Sequence, residues 1–360
     1  MVSLRGARSA PWMTSFLTVS VTLILLVLFF AYQSLSRVPM LPGSHFEEYA
    51  THDAPISIQE ILRLLYAPLK FSPTTPAFTD DDGKVYRLPA NRIYETKLGK
   101  EVCILDLETR PLDKKNQLMH GGDYSWKDLD YLSGGVLNHY TYAMIHGYDY
   151  KFIRAAPFKD RHNTWIKPSS IANVLKQYKF VIFLDADAAF HQMHIPIEWM
   201  LNYWQITPDI SLAMALDPAG PPGINDDRFN RTLGNTGFII AQQSDRTQEI
   251  LRAWHECPEN VRYDNCSQWK KPLFHEQSAF GEFVRYDYED YLKEIPCTEA
   301  NGYPGTLCKG VFVRHYWYGK QRVANDFSNS TMQAITAPLQ KMFMDRRKQI
   351  MQEQTKNEII

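Results

Sequence analysis

The chain has 360 residues, 44% of them hydrophobic and 22% charged. That is globular composition, with ample material for a core. A formal net charge of −1 removes any electrostatic reason to expect nucleic acid as a partner, and the absence of repeats or low-complexity tracts sets aside solenoids and disordered arrays.

The first element is not globular. Trp12 to Tyr32 reads WMTSFLTVSVTLILLVLFFAY and carries no charge. A helix needs about 20 apolar residues to cross the hydrocarbon core. Trp12 and Tyr32 sit at the two ends, where aromatic rings favour the interface. Arg5 and Arg8 precede the run, while Glu47 and Glu48 follow Arg37. The positive flank predicts a cytosolic tail over 1–11, a signal anchor over 12–32 and a lumenal body. A cleaved signal peptide has an apolar region of only about 7–15 residues. FFAYQSLS is also a poor cleavage site, so the run reads as uncleaved.

Residues 33–98 read as a stem, because seven prolines from Pro39 to Pro89 interrupt any long element. One short helix fits SIQEILRLLY, with Ser57 as its cap and Glu60 three residues on. TDDDGK reads as a turn. The folded body is placed at 99–325 and a helical tail at 326–360.

Within the body, EVCILDLET reads as a buried strand. A helix follows over DLDYLSGGVLNHYTYAMIHG, with Gly147 able to end it. YDYKFIRAA is a second strand and PSSIANVLKQY a second helix, with Pro168 and Ser169 at its start. KFVIFLDAD, DISLAMALD and GFIIAQQ are further strands. SDRTQEILRAWHEC is a helix that Ser244 can cap, and KGVFVRHYW is a late strand. Strands alternating with helices predict an α/β fold with a largely parallel, Rossmann-like mixed sheet flanked by helices. In such sheets ligands bind beyond the carboxyl ends of strands. Asp106, Asp185 and Asp217 each end an apolar run, which would gather three acids on one sheet edge.

Five cysteines are present. Cys103 lies in an apolar run and reads as a buried free thiol. Cys257, Cys266, Cys297 and Cys308 fall into two short-range pairs, although four cysteines allow three connectivities. No C-x-x-C spacing supports zinc instead. Sequons stand at Asn230, Asn265 and Asn329.

The chemistry concentrates in YKFVIFLDADAAFHQ. A buried carboxylate is costly unless it is paired or binds a metal. Residues two apart on an extended segment face one side, so Asp185 and Asp187 can share one ion. Carboxylate oxygens suit Mn²⁺ or Mg²⁺, which would steady a diphosphate leaving group.

At this point the sequence resembles the GT-A fold glycosyltransferases, and is similar to the galactosyl-, xylosyl- and mannosyltransferases of family 34, whose fungal members sit in the Golgi. The blocks that carry the resemblance are NHYTYAMIHGYDY, TWIKPSSI, FLDADAAF, LGNTGFIIAQQS, HEQSAF and VRHYWYGK, in that order over roughly residues 100–320. The resemblance implies that Asp185 and Asp187 coordinate Mn²⁺ (or Mg²⁺), with His315 as a third ligand. It implies that Lys320 touches the diphosphate of a UDP-sugar or GDP-sugar, and that Asn235, Thr236 and Gly237 lie beside the donor sugar. Gln277 matches a glutamine near the reacting centre, and Glu276 stands where the family usually has Asp. Asp106 and Thr109 follow the first strand, where the base usually binds, and Lys167 is a candidate for a phosphate. The function implied is metal-dependent, retaining transfer of a sugar to a glycan or glycoprotein by a single-pass Golgi membrane protein. Two rivals stand beside it. A metal phosphohydrolase would need more ligands than two Asp and a His. A non-catalytic glycan-binding or partner subunit would share the fold.

Overall fold

The computed structural model describes residues 56–351 apart from Asp123 and Pro222. The chain divides into two units, Met1–Pro55 and Ile56–Ile360. The expected anchor at Trp12–Tyr32 lies outside the described residues. Among the described residues, no helix is long and apolar enough to cross a membrane.

The second unit begins with helix α1 (Ile58–Tyr66), where the Ser57 hydroxyl accepts from the Glu60 N–H at 3.2 Å. Strands β1 (Ala77–Thr79) and β2 (Val85–Arg87) then form a hairpin. Residues 56–98 therefore depart from the expected stem. Tyr66, Phe78, Tyr86 and Tyr94 are all buried in the main core with Trp199 and Phe312. The prolines break helices here, but aromatic side chains between them still bury.

A six-stranded sheet organises the body. It comprises β3 (Val102–Glu108), β4 (Asp149–Arg154), β5 (Phe180–Leu184), β7 (Leu212–Leu216), β8 (Gly234–Gln242) and β9 (Leu292–Ile295), in the order β4-β3-β5-β8-β7-β9. Five strands run one way and β8 runs against both of its neighbours. The sheet is thus mixed and largely parallel, as expected, and its faces are apolar on both sides. Helix α2 (Tyr131–His146) covers one face and ends at Gly147 in the left-handed region, φ 80°. Helix α3 (Ile166–Leu175) starts two residues before Pro168, and α4 is Ile197–Tyr203. Helix α5 (Asp245–Glu256) is capped by Ser244, whose hydroxyl accepts from the Thr247 N–H at 3.0 Å.

The late strand is shorter than expected and leaves the main sheet. Only Val313–His315 is extended (β10), and it pairs antiparallel with β6 (Ala188–Phe190) in a sheet of two strands. The final helix, Arg322–Ile350, starts inside the body rather than at 326: Val323, Ala324 and Asp326 are buried. Cys257 bonds Cys266, Cys297 bonds Cys308, and Cys103 is a buried free thiol.

Phe78 tests whether the hairpin belongs to the domain. Phe78→Ala is expected to lower the unfolding free energy of the Ile56–Ile360 unit by about 3–5 kcal/mol. Urea melts that overlay the wild type would return this segment to a stem.

Candidate active site: paired acids, a late histidine and two lysines

The apolar strand β5 stops at Asp185. Asp185 and Asp187 then lie in a tight turn, closed by the Ala188 N–H donating to the Asp185 carbonyl at 2.8 Å. The extended geometry inferred from their spacing is therefore replaced by a turn. The consequence is unchanged: one ligand atom each from Asp185, Asp187 and His315 lie within 4.8 Å of one another.

His315 arrives from the other end of the sequence. Its Nε2 is 3.2 Å from Asp187 Oδ1, and its backbone pairs with Ala188 across β6 and β10. Gly237 makes room for it: a Cβ there would meet the imidazole at 2.2 Å. Gly237, expected from sequence beside the donor sugar, lies against this ring. Two carboxylates and an imidazole are a donor set that suits a hard or borderline divalent cation.

Two ammonium groups balance the acids. Lys320 Nζ is 2.5 Å from Asp187 Oδ2. Lys167, 4% exposed, sits 3.0 Å from Asp185, 3.1 Å from Glu276 and 3.1 Å from the Thr236 carbonyl. All three of its donors are occupied. Lys167 is therefore a strut between carboxylates and not the phosphate ligand considered from sequence. Burial disfavours its charged form, but Asp185 and Glu276 outweigh that and hold it above the ordinary lysine range. Desolvation raises Asp185, opposed chiefly by Lys167. Asp187 is also desolvated, yet His315 and Lys320 hold it below the usual carboxylate range.

A second cluster stands beside the first. The Thr236 hydroxyl donates to Glu276 Oε1 at 3.0 Å, and the Thr236 N–H donates to Gln277 Oε1 at 3.0 Å. Gln277 Nε2 donates to Asp217 Oδ2 at 2.6 Å, and Asn235 Nδ2 to Asp217 Oδ1 at 2.7 Å. Glu276 is only 2% exposed, and its Oε2 has no partner. A buried acceptor without a donor is costly. The turn that delivers Glu276 is strained: His275 has φ 55° and ψ −119°, and its ring stacks on His162 at 3.6 Å.

Asp106 and Thr109 do not join this group. Asp106 accepts from Tyr150 Oη at 2.7 Å and meets His139 Nδ1 at 2.8 Å. His139 Nε2 in turn meets the Ala188 carbonyl at 3.1 Å. Asp106 is thus a brace under the Asp185–Asp187 turn rather than a ligand for a base. The Thr109 N–H is turned onto the Glu108 carboxylate at 2.8 Å. Gly135 lets α2 approach the same turn, since a Cβ there would meet the Ala186 carbonyl at 2.0 Å.

Sequence reasoning left out Asn301 and His139, and placed Asp217 among the three acids of one sheet edge without giving it a role. The signal for Asp217 was present, because it ends a strand just as Asp185 does. Asn301, which donates to the Leu216 carbonyl at 3.0 Å, and His139 carry no local signal at all.

Comparison with known proteins adds the family. Residues 159–356 match the family described as nucleotide-diphospho-sugar transferase. No curated protein matches. Among solved structures, the chain is similar to a glycosyltransferase involved in the glycosylation of the major capsid of PBCV-1, at 15% identity over 63% of this chain and 98% of that one, with a TM-score of 0.45. It is also similar to mouse xyloside xylosyltransferase 1 in its apo form, at 12% identity over 60% of this chain and 97% of that one, with a TM-score of 0.34.

His139→Ala removes one partner of a buried charge. The expected cost is about 3–5 kcal/mol of folding free energy, together with broadened NMR signals from Asp185 and Asp187. A variant as stable as the wild type would show that the brace does not bear on the turn.

Proposed function

The chain belongs to the nucleotide-diphospho-sugar transferase family, and from that premise we propose a metal-dependent glycosyltransferase that moves a hexose or pentose from a UDP-sugar or GDP-sugar to a glycan or glycoprotein. The observation that carries the reading is the convergence of Asp185, Asp187 and His315 beside Lys320 and the partnerless Glu276 Oε2.

Asp185, Asp187 and His315 would hold the Mn²⁺ or Mg²⁺. A bound cation there supplies positive charge that stabilises a diphosphate as a leaving group. The chain's own residues supply the rest. Lys320 is half-exposed at the edge of the acids, so its ammonium can leave Asp187 for a diphosphate oxygen. Lys167 remains beneath and keeps Glu276 ionised: despite burial, Lys167 and Thr164 hold that carboxyl below the ordinary range. Glu276 Oε2 is then an ionised acceptor for a hydroxyl of the donor sugar or of the acceptor. Gln277 is fixed at both ends of its amide by Asp217 and Thr236, which sets its orientation before substrate arrives. Retention of anomeric configuration follows from the family resemblance.

The setting proposed is the Golgi lumen, with the body anchored through Trp12–Tyr32. Two disulfides fit an oxidising compartment. The asparagines of all three sequons are exposed.

A nucleotide-sugar panel with and without Mn²⁺ tests this. Release of UDP or GDP is expected with Mn²⁺, is abolished by EDTA, and falls on the order of 10²-fold or more in Asp187→Ala. Gly237→Ala should weaken Mn²⁺ binding, read by calorimetry, because its methyl displaces His315. Turnover that survives EDTA unchanged would sink the proposal.

A further inference from the structure

The loop 218–233 leaves the site at Asp217 and returns to it at Asn235, and on the way it builds a second cleft. Its other wall is a π-helical stretch, Phe280–Val284, which continues directly from the turn bearing Glu276 and Gln277. Such stretches are rare and occur often at functional sites. The cavity measures about 390 Å³, within the range of small-molecule clefts.

The lining has two characters. Phe229 is 58% exposed and meets Tyr286 edge-to-face at 5.0 Å. The Arg228 guanidinium lies 4.8 Å from the ring centres of both Phe229 and Phe283. The Glu282 carboxylate accepts from the Arg228 N–H at 2.9 Å and stands 3.5 Å from its guanidinium. Apolar walls at Phe229 and Tyr286 therefore meet the half-exposed Arg228 guanidinium, with the mostly buried Glu282 carboxylate behind it. The walls are also held in place. Asp227 is buried, pairs with Arg285 and Tyr286, and accepts from the Phe229 N–H at 2.8 Å and the Arg231 N–H at 3.0 Å. The Phe229 ring is thus an exposed apolar surface on a rigid mount.

We infer that this cleft is a carbohydrate subsite that takes one pyranose ring of the acceptor glycan. The inference rests on the transferase reading for the word acceptor, but not for the chemistry of binding. A pyranose presents a C–H face that covers aromatic carbon and a rim of hydroxyls that both donate and accept. Phe229 and Tyr286 match the first, and Glu282 with Arg228 matches the second. A purely apolar ligand would leave the carboxylate and the guanidinium desolvated. The cleft is continuous in chain with the candidate site: its loop is rooted at Asp217 and Asn235, and Glu282 lies six residues beyond Glu276.

Saturation-transfer NMR tests it on the full chain, enzymatically deglycosylated so that no glycan on Asn230 can fill the cleft. The probes are methyl glycosides of glucose, galactose and mannose, with cyclohexanol as the apolar control. Transfer to pyranose protons is expected in the wild type and in Asp187→Ala, with roughly tenfold weaker binding in Phe229→Ala. Circular dichroism monitors the fold, and Arg228→Ala serves as a second variant should Phe229→Ala fail to fold. No transfer in the wild type, unchanged transfer in the variants, loss in Asp187→Ala, or equal transfer to cyclohexanol would each overturn the inference. Nucleotide release is measured in parallel. Its absence from the wild type would count against the transferase reading and leave the binding result standing.

Discussion

The centre of this molecule is a problem of charge. Asp185, Asp187, Asp217 and Glu276 are gathered at one end of an apolar sheet. Carboxylates in so little water repel one another and lose hydration, and either effect alone would drive them to take up protons. The fold opposes this with Lys167, Lys320 and His315, and with neutral donors from Asn235, Gln277 and Thr236; Asp187 and Glu276 are held below the ordinary carboxylate range, while desolvation still raises Asp185 and Asp217. The two lysines differ in a way that matters. Lys167 is enclosed and fully bonded, so it is a permanent part of the frame. Lys320 is long, half-exposed and attached to the acids at one oxygen only, so its charge is transferable.

The antiparallel strand β8 is what makes this cluster possible. Asp185 follows β5 and Asp217 follows β7, and both strands pair with β8. Because β8 runs the other way, its first residues, Asn235 to Gly237, lie between those two acids. The Asp185 N–H bonds the Gly237 carbonyl at 2.8 Å, and the Asp217 N–H bonds the Leu233 carbonyl at 2.8 Å. A parallel strand in that position would have ended there instead of starting there. The bulge between Met214 and Ala215 shifts the register and brings Leu216 opposite Gly234.

What could be read from sequence was what is local. Ser57 and Ser244 cap their helices through residues three along, and Gly147 ends α2 by its own dihedral freedom. The five apolar residues before Asp185 announce a buried strand by composition alone. Strand direction has no such signature, so GFIIAQQ could be recognised as β8 without its orientation. Strands as short as Ala188–Phe190 and Leu292–Ile295 gain their identity from pairing, not from pattern. The hairpin at 77–87 was hidden by prolines on either side. Asp106 was misread for a related reason: it ends an apolar run like Asp185, and only the partners His139 and Tyr150 show that its oxygens are already taken.

The third member of the cluster, His315, depends on parts of the chain that the main sheet does not contain. Its strand is three residues long and pairs only with the three residues after Asp187. Such a pair is marginal alone, so its position must be fixed from behind. The Gly302 carbonyl accepts the His315 N–H at 2.9 Å, and Gly302 itself, at φ 71°, has no room for a side chain, since a Cβ would meet the Cys308 carbonyl at 2.1 Å. The Cys297–Cys308 disulfide closes the loop that holds Gly302. Oxidation, a left-handed glycine and a short strand pair therefore act in series to hold one imidazole over Gly237. On this geometry the Asp185–Asp187–His315 cluster is linked to the Cys297–Cys308 bond, because the loop that backs its histidine is tied by that bond.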